Sequence, residues 1–207
     1  GCEILAKCEF LNAGGSVKDR PALFIVRDAI RNGDLVPGKV LLDATSGNTG
    51  IAYAMLGASM GFPVELTMAA NASPERVQIL RAYGAELILT DPALRTDGAR
   101  QVVHEMVAAE PDRYFHADQY SNPATPVAHY ATTGPEIWRQ TEGQVTHFVA
   151  GMGTSGTMMG VGRYLREQNR AIQLVGVQPD RPDNGIKGLK YLKSSDVPSI
   201  YDPSGVD

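Results

Sequence analysis

Short apolar runs of strand length alternate along the chain with longer stretches in which apolar residues recur every three or four positions. A period of two marks a strand and one of 3.6 a helix, so their regular alternation predicts a parallel sheet covered by crossover helices. Strands are expected at 4–7, 40–43, 64–68, 86–90, 114–116, 147–150 and 173–177. Helices are expected at 21–32, 50–60, 74–83, 97–109, 125–140 and 156–168. The first is opened by Pro21, closed by Asn32-Gly33 and apolar along Leu23, Val26 and Ile30. Ser73 followed by Pro74 is a helix start in the same sense, a hydroxyl cap and then a residue with no N–H to leave unpaired. No internal repeat or low-complexity segment interrupts the pattern.

Pro123 and Pro126 break the alternation, which places a boundary there and predicts two lobes, 1–122 and 123–207, with a cleft between them. The expected fold class is therefore α/β, each lobe a mostly parallel sheet flanked by helices. Beyond Pro179 the chain turns polar and irregular through Pro182, Gly185, Gly188, Pro198 and Pro203, and it reaches Asp207 without a closing strand or helix.

Composition narrows the functional classes. A formal charge of −4 over 207 residues, with Lys and Arg scattered, provides no basic footprint for nucleic acid or anionic lipid. No apolar run approaches the roughly 20 residues of a membrane span. Gly1-Cys2-Glu3 begins no signal peptide, and a cytoplasmic location is expected. Cys2 and Cys8, six positions apart in the expected first strand, fall on one face and read as buried free thiols. His104, His116, His129 and His147 lack ligand spacing, so no metal is expected.

The candidate chemistry begins at Lys18, in Gly14-Gly15-Ser16-Val17-Lys18-Asp19-Arg20-Pro21 at the mouth of the first helix. A helix N-terminus carries about half a positive charge, which disfavours an ammonium and favours a neutral, nucleophilic amine. The alternative is an exposed lysine in a glycine loop. Two further junctions are rich in Gly, Ser and Thr and follow strand ends, where open α/β sheets bind ligands. Thr45-Ser46-Gly47-Asn48-Thr49-Gly50 supplies hydroxyls, an amide and helix-start N–H groups suited to an anion, beyond the single hydroxyl that capping requires. Gly151-Met152-Gly153-Thr154-Ser155-Gly156-Thr157 offers the same donors to a phosphate.

That second loop also matches the dinucleotide fingerprint G-x-G-x-x-G, making a nicotinamide oxidoreductase a competing reading. The next strand ends at Gln178-Pro179 rather than in an acid for the ribose, and the dinucleotide reading leaves Lys18 unexplained. A lysine, a phosphate cradle and a carboxylate site together suit pyridoxal 5'-phosphate, a phosphorylated aldehyde. Gln119, after the strand at the lobe boundary, is placed either to assist the carboxylate site or to serve as a surface amide.

On these motifs the chain resembles the tryptophan-synthase-β-like, fold type II pyridoxal-phosphate enzymes, and most closely the cysteine synthase and cystathionine β-synthase families, over essentially all 207 residues. The segment Cys8–Gly15 resembles cystathionine β-synthase, whereas His129-Tyr130 through Gly134-Pro135-Glu136-Ile137-Trp138 resembles type B cysteine synthase, the nearer likeness. The resemblance implies that Lys18 forms the Schiff base with the cofactor. It implies that Asn48 bonds the cofactor's ring oxygen and that Gly153, Thr154, Ser155, Gly156 and Thr157 cradle its phosphate. It assigns the substrate carboxylate to Thr45, Ser46, Gly47 and Thr49, with Gln119 assisting.

The activity implied is β-replacement. O-acetylserine, or a related activated serine, loses its leaving group at Cβ, and sulfide or another sulfur donor adds to give cysteine, with freed Lys18 as the base at Cα. A homodimer acting on small molecules is implied as well. Cystathionine synthesis from serine and homocysteine is the first alternative, and a non-catalytic fragment another. Ala44 stands where the family carries proline, and Ala69-Ala70-Asn71 replaces a Pro-Glu-Asn run. The family also has a segment before residue 1 and a long one after Asp207, including a serine that pairs with the pyridine nitrogen. The chain is accordingly read as an incomplete copy of the domain.

Overall fold

The computed structural model describes residues 1–45, 47–181, 184–186, 188–193 and 197–207. The helices are α1 (Asp19–Asn32), α2 (Asn48–Met60), α3 (Pro74–Ala82), α4 (Arg95–Ala109), α5 (Ala124–Ala128), α6 (Gly134–Gln140) and α7 (Gly156–Gln168). The strands are β1 (Val40–Ala44), β2 (Val64–Ala69), β3 (Glu86–Thr90), β4 (Tyr114–His116), β5 (His147–Gly151) and β6 (Gln173–Val177). The chain divides into two units, Gly1–Gln119 and Tyr120–Asp207.

In the first unit four parallel strands lie in the order β3-β2-β1-β4, with Leu41 beside Val64 on one flank and beside Phe115 on the other. Every residue of β1 is buried, the near-continuous apolar reading expected of a parallel strand covered on both faces. Val40, Leu42 and Ala44 pack with Ala99 and Val103 of α4 and with Tyr114. The chain adds β2 and β3 on one side of β1 and then returns to place β4 on the other. The carboxyl ends of β1 and β4 therefore form the topological switch point where open α/β sheets bind ligands.

In the second unit β5 and β6 pair in parallel, His147 beside Gln173. Met158, Val161 and Leu165 of α7 close a core with Ile137, Met152, Ile172 and Leu174. Gly160 of α7 meets the carbonyl oxygen of Pro126, a contact that any Cβ would break, so the glycine lets α7 and α5 approach at backbone distance.

Several sequence expectations fail. In α1 the buried face runs along Ala22, Ile25, Val26 and Ala29, while Ile30 is 44% exposed. Residues 1–8 form no strand, and Glu9–Leu11 is a 3₁₀ turn. An apolar run becomes a strand only when a neighbour takes up its N–H and C=O groups, and none of the two sheets includes residues 4–7. Ile4 is accordingly 89% exposed, and Cys2 and Cys8 are exposed free thiols instead of buried ones. The single helix expected over 125–140 is interrupted by a π-helical turn at His129–Thr133. Pro135 has no N–H to return to the carbonyl of Ala131, and its ring crowds that carbonyl, so the ladder widens there.

Candidate active site

Lys18 is the residue immediately before α1, with αR backbone and no side-chain cap. The preceding loop is held by side chains. Glu9 binds Arg20 at 2.7 and 2.9 Å and accepts from Asn12 at 2.8 Å. Asn12 also donates to the Ser16 carbonyl at 3.0 Å, the Gly14 N–H donates to Asp19 at 2.6 Å, and the Lys18 N–H donates to the Ser16 hydroxyl at 3.2 Å. A side chain on Gly14 would collide with the Asp19 carboxylate, which explains the glycine. Lys18 is half-buried, and burial pushes its amine below the usual lysine range. Desolvation, more than the helix end stressed by the sequence, thus favours the neutral amine.

The switch point gathers the second group. β1 runs into the Thr45 turn and α2, β4 runs toward Gln119, and the two meet where Thr49 donates to the Gln119 side-chain oxygen at 2.7 Å. The Gln119 amide donates to the Ala44 carbonyl at 3.3 Å, and its N–H donates to Asp43 at 3.3 Å. Gln119 is 6% exposed, so it is an interior group and not a surface amide. Thr45 accepts from the N–H groups of Gly47 and Gly50 at 3.3 and 3.2 Å. Gly47 is buried against the Arg76 guanidinium, whose Nη1 would lie 2.9 Å from a Cβ there. Asn48 is exposed at the first position of α2, while Thr49 is buried behind it. Ser46 lies outside the described residues.

The third group belongs to the second unit. Among the described residues, the N–H groups of Gly153, Thr154, Ser155, Gly156 and Thr157 find no acceptor, and they cluster at the start of the 13-residue α7. Free donors at a helix N-terminus are the chemistry a phosphate requires. A Cβ on Gly153 would run into the carbonyl oxygen of Gly188, and one on Gly156 into Thr125. Ser155 has φ 66°, a left-handed conformation costly for a residue with a side chain. Its hydroxyl donates to the Thr154 carbonyl at 2.5 Å, so its N–H, not its hydroxyl, is the group presented by the loop. The Thr157 hydroxyl lies 3.3 Å from His129 Nε2, and His129 Nδ1 lies 2.9 Å from Thr133.

The first unit thus holds a lysine amine lowered by burial and a hydroxyl–amide pair at a sheet switch point, and the second holds a row of unpaired N–H groups at a helix start. The chain belongs to the pyridoxal-phosphate dependent enzyme family, whose model matches residues 1–207. It is 56% identical over 205 residues to a cysteine synthase of Aquifex aeolicus, covering 99% of this chain and 63% of the relative. It is 47% identical over 207 residues to cysteine synthase B of Salmonella typhimurium, covering all of this chain and 67% of the relative. A crystal structure of a cysteine synthase from Entamoeba histolytica superposes with TM-score 0.91 at 39% identity, over 97% of this chain and 61% of the other. The chain thus spans just over three fifths of the Aquifex and Entamoeba relatives.

Asp43, Arg76 and His129 are neighbours of these sites that the motifs alone did not single out. Asp43 and His129 are buried polar residues in otherwise apolar runs, the one signal that a sequence offers for them. Among the described residues no helix is long and apolar enough to cross a membrane, and no group of three or more metal-ligating side chains assembles.

Proposed function

We propose that the protein catalyses β-replacement on an activated L-serine, O-acetyl-L-serine or a close analogue, with sulfide or another sulfur donor, and so makes L-cysteine. The reading takes pyridoxal 5'-phosphate as cofactor. The names of the relatives favour it, and the observation that carries it is Lys18, an amine that burial shifts toward its neutral form within a fixed loop. The cofactor, when bound, supplies a carbonyl for condensation with amines and a ring that draws electrons from Cα.

In this reading Lys18 is the cofactor's covalent partner, Gly153–Thr157 hold its phosphate and Asn48 its ring oxygen. Thr45, Gly47, Thr49 and Gln119 orient the amino-acid carboxylate, with Ser46 in the same proposed set. Once released by the incoming amino acid, the Lys18 amine takes the Cα proton. That step needs a neutral base, and desolvation shifts the amine in that direction. Expulsion of the leaving group from Cβ and addition of the thiol there complete the replacement. The two lobes of the sequence reading divide these tasks, lysine and carboxylate turn in one and phosphate loop in the other.

Borohydride reduction of the full-length protein loaded with pyridoxal phosphate, followed by peptide mass spectrometry, tests the assignment. The adduct is expected on Lys18, and an adduct confined to another lysine overturns it. Gln119→Ala is expected to raise the amino-acid KM by roughly tenfold or more, as loss of a hydrogen bond to a charged group does, with cofactor content unchanged. Cofactor loss with an unaltered KM contradicts that role. Parallel assays with sulfide and homocysteine separate cysteine from cystathionine synthesis. The homodimer and cytoplasmic location belong to the same proposal and are read by sedimentation and cell fractionation.

A further inference from the structure

Asp43 sits at the carboxyl end of β1, 2% exposed, and the proposed reaction does not use it. Its Oδ1 accepts the Ala44 N–H at 2.8 Å and its Oδ2 accepts the Gln119 N–H at 3.3 Å. Gln119 closes the circuit through the Ala44 carbonyl and the Thr49 hydroxyl. One carboxyl thus ties together the end of β1, the segment after β4 and the first turn of α2, the elements that carry the proposed carboxylate site.

A buried carboxylate ordinarily meets a cation, because desolvation strongly disfavours an isolated charge. Here, among the described residues, no lysine or arginine pairs with Asp43. From α2, the buried Tyr53 hydroxyl lies beside it without a well-formed hydrogen bond. From β4, His116 Nε2 stands 4.0 Å away, its imidazole pushed toward the neutral form first by burial, with His104 and Arg100 of α4 acting in the same direction and Asp118 against. From the segment after β4, Asp118 adds a second carboxylate. Burial pushes Asp43 up to about 7, with the Ala44 and Gln119 N–H groups and the neighbouring Tyr53 hydroxyl opposing it and Asp118 reinforcing it.

We propose that Asp43 is a positioning residue that carries a proton whenever the Thr45–Thr49 turn holds an amino-acid carboxylate, so that binding of the anion is coupled to protonation of Asp43. A charged Asp43 lies one backbone unit behind Ala44 and two behind Thr45, where it repels an incoming carboxylate through a low-dielectric interior. The protonated form still accepts both N–H groups and keeps a proton for donation toward the His116 imidazole. The network therefore survives the change of charge, while the repulsion does not. The proposal rests on the reading of this turn as the carboxylate site. Its sign is definite: affinity for the anion falls as pH rises through about 7.

The test uses the full-length, cofactor-loaded protein with ¹³C-labelled aspartate carboxyls, and propionate as a carboxylate probe that has no amine to titrate. One aspartate resonance is expected to titrate near the value that burial gives Asp43, to be absent from Asp43→Asn, and to move its midpoint upward when propionate binds. The ratio of wild-type to Asp43→Asn dissociation constants for propionate is expected to be level in acid, then to rise above neutrality by up to about tenfold per pH unit, the limit for one linked proton. Tyr53→Phe, which removes the hydroxyl beside the carboxyl, raises the midpoint further without abolishing the titration, so a fold defect in Asp43→Asn does not decide the outcome. A ratio independent of pH, or a midpoint that propionate does not move, overturns the inference. If propionate shifts neither the Thr49 nor the Gln119 amide resonance in any variant at any pH, the turn assignment itself falls and takes the inference with it.

Discussion

Lys18→Ala is expected to leave the full-length protein without any borohydride-stable cofactor adduct and to reduce kcat/KM by roughly 10²–10⁴-fold from lost proton transfer alone. The expectation follows from two properties of one nitrogen. Burial lowers the Lys18 amine, which favours the neutral form able to condense with a carbonyl. The Glu9–Arg20 pair and the Asn12, Ser16 and Asp19 hydrogen bonds fix the loop from which that amine projects. Lys18→Arg should fail as completely, because a guanidinium does not deprotonate in a protein. A small primary amine added to Lys18→Ala should restore part of the rate if the lost function is that of a base. Retained adduct formation in Lys18→Ala, or activity in Lys18→Arg, contradicts the role.

Gly153→Ala is expected to abolish tight cofactor binding in a protein that still folds. The added methyl collides with a backbone carbonyl, that of Gly188, and a main chain cannot rotate aside as a flexible side chain does. Relief requires moving the 153–157 loop, which turns its N–H groups away from the phosphate. Each hydrogen bond to a charged group contributes about 1.5–3 kcal/mol, so misaligning two of them weakens binding roughly 100-fold or more. Overpacking itself costs about 1–3 kcal/mol of stability. Gly185→Ala is the control, since nothing lies within 4 Å of the Cβ it would add. Cofactor titration by absorbance, with denaturant unfolding of both variants, checks the prediction. Equal cofactor affinity in the two contradicts the role given to the loop.

Much of this was legible along the chain because its physics is local. Five expected helices and six expected strands occur within a few residues of their predicted bounds, since apolar period and capping residues act over one or two turns. Ser73 accepts from the Arg76 N–H, as its position before Pro74 implied. The exceptions have equally physical causes. Residues 4–7 had the composition of a strand but no partner, and the 125–140 segment had a helical period that Pro135 could not complete as an α-helix. The stress on the helix end at Lys18 was a local argument too, and burial outweighs it.

Local sequence was enough to single out the residues proposed to carry the chemistry. The amine of Lys18, the hydroxyls of the 45–49 turn and the glycines of 153–157 belong to contiguous segments, and helix-start N–H groups are available wherever a helix begins. Tertiary structure alone decided which distant groups act as one. Thr49 and Gln119 are 70 residues apart, and Asp43 and Gln119 are 76 apart, yet they share hydrogen bonds because β4 returns to the flank of β1 instead of extending past β3. Strand order is a matter of packing rather than of any local preference. Through it an aspartate that reads along the chain as a polar residue in a buried strand becomes a desolvated carboxyl beneath a candidate binding turn.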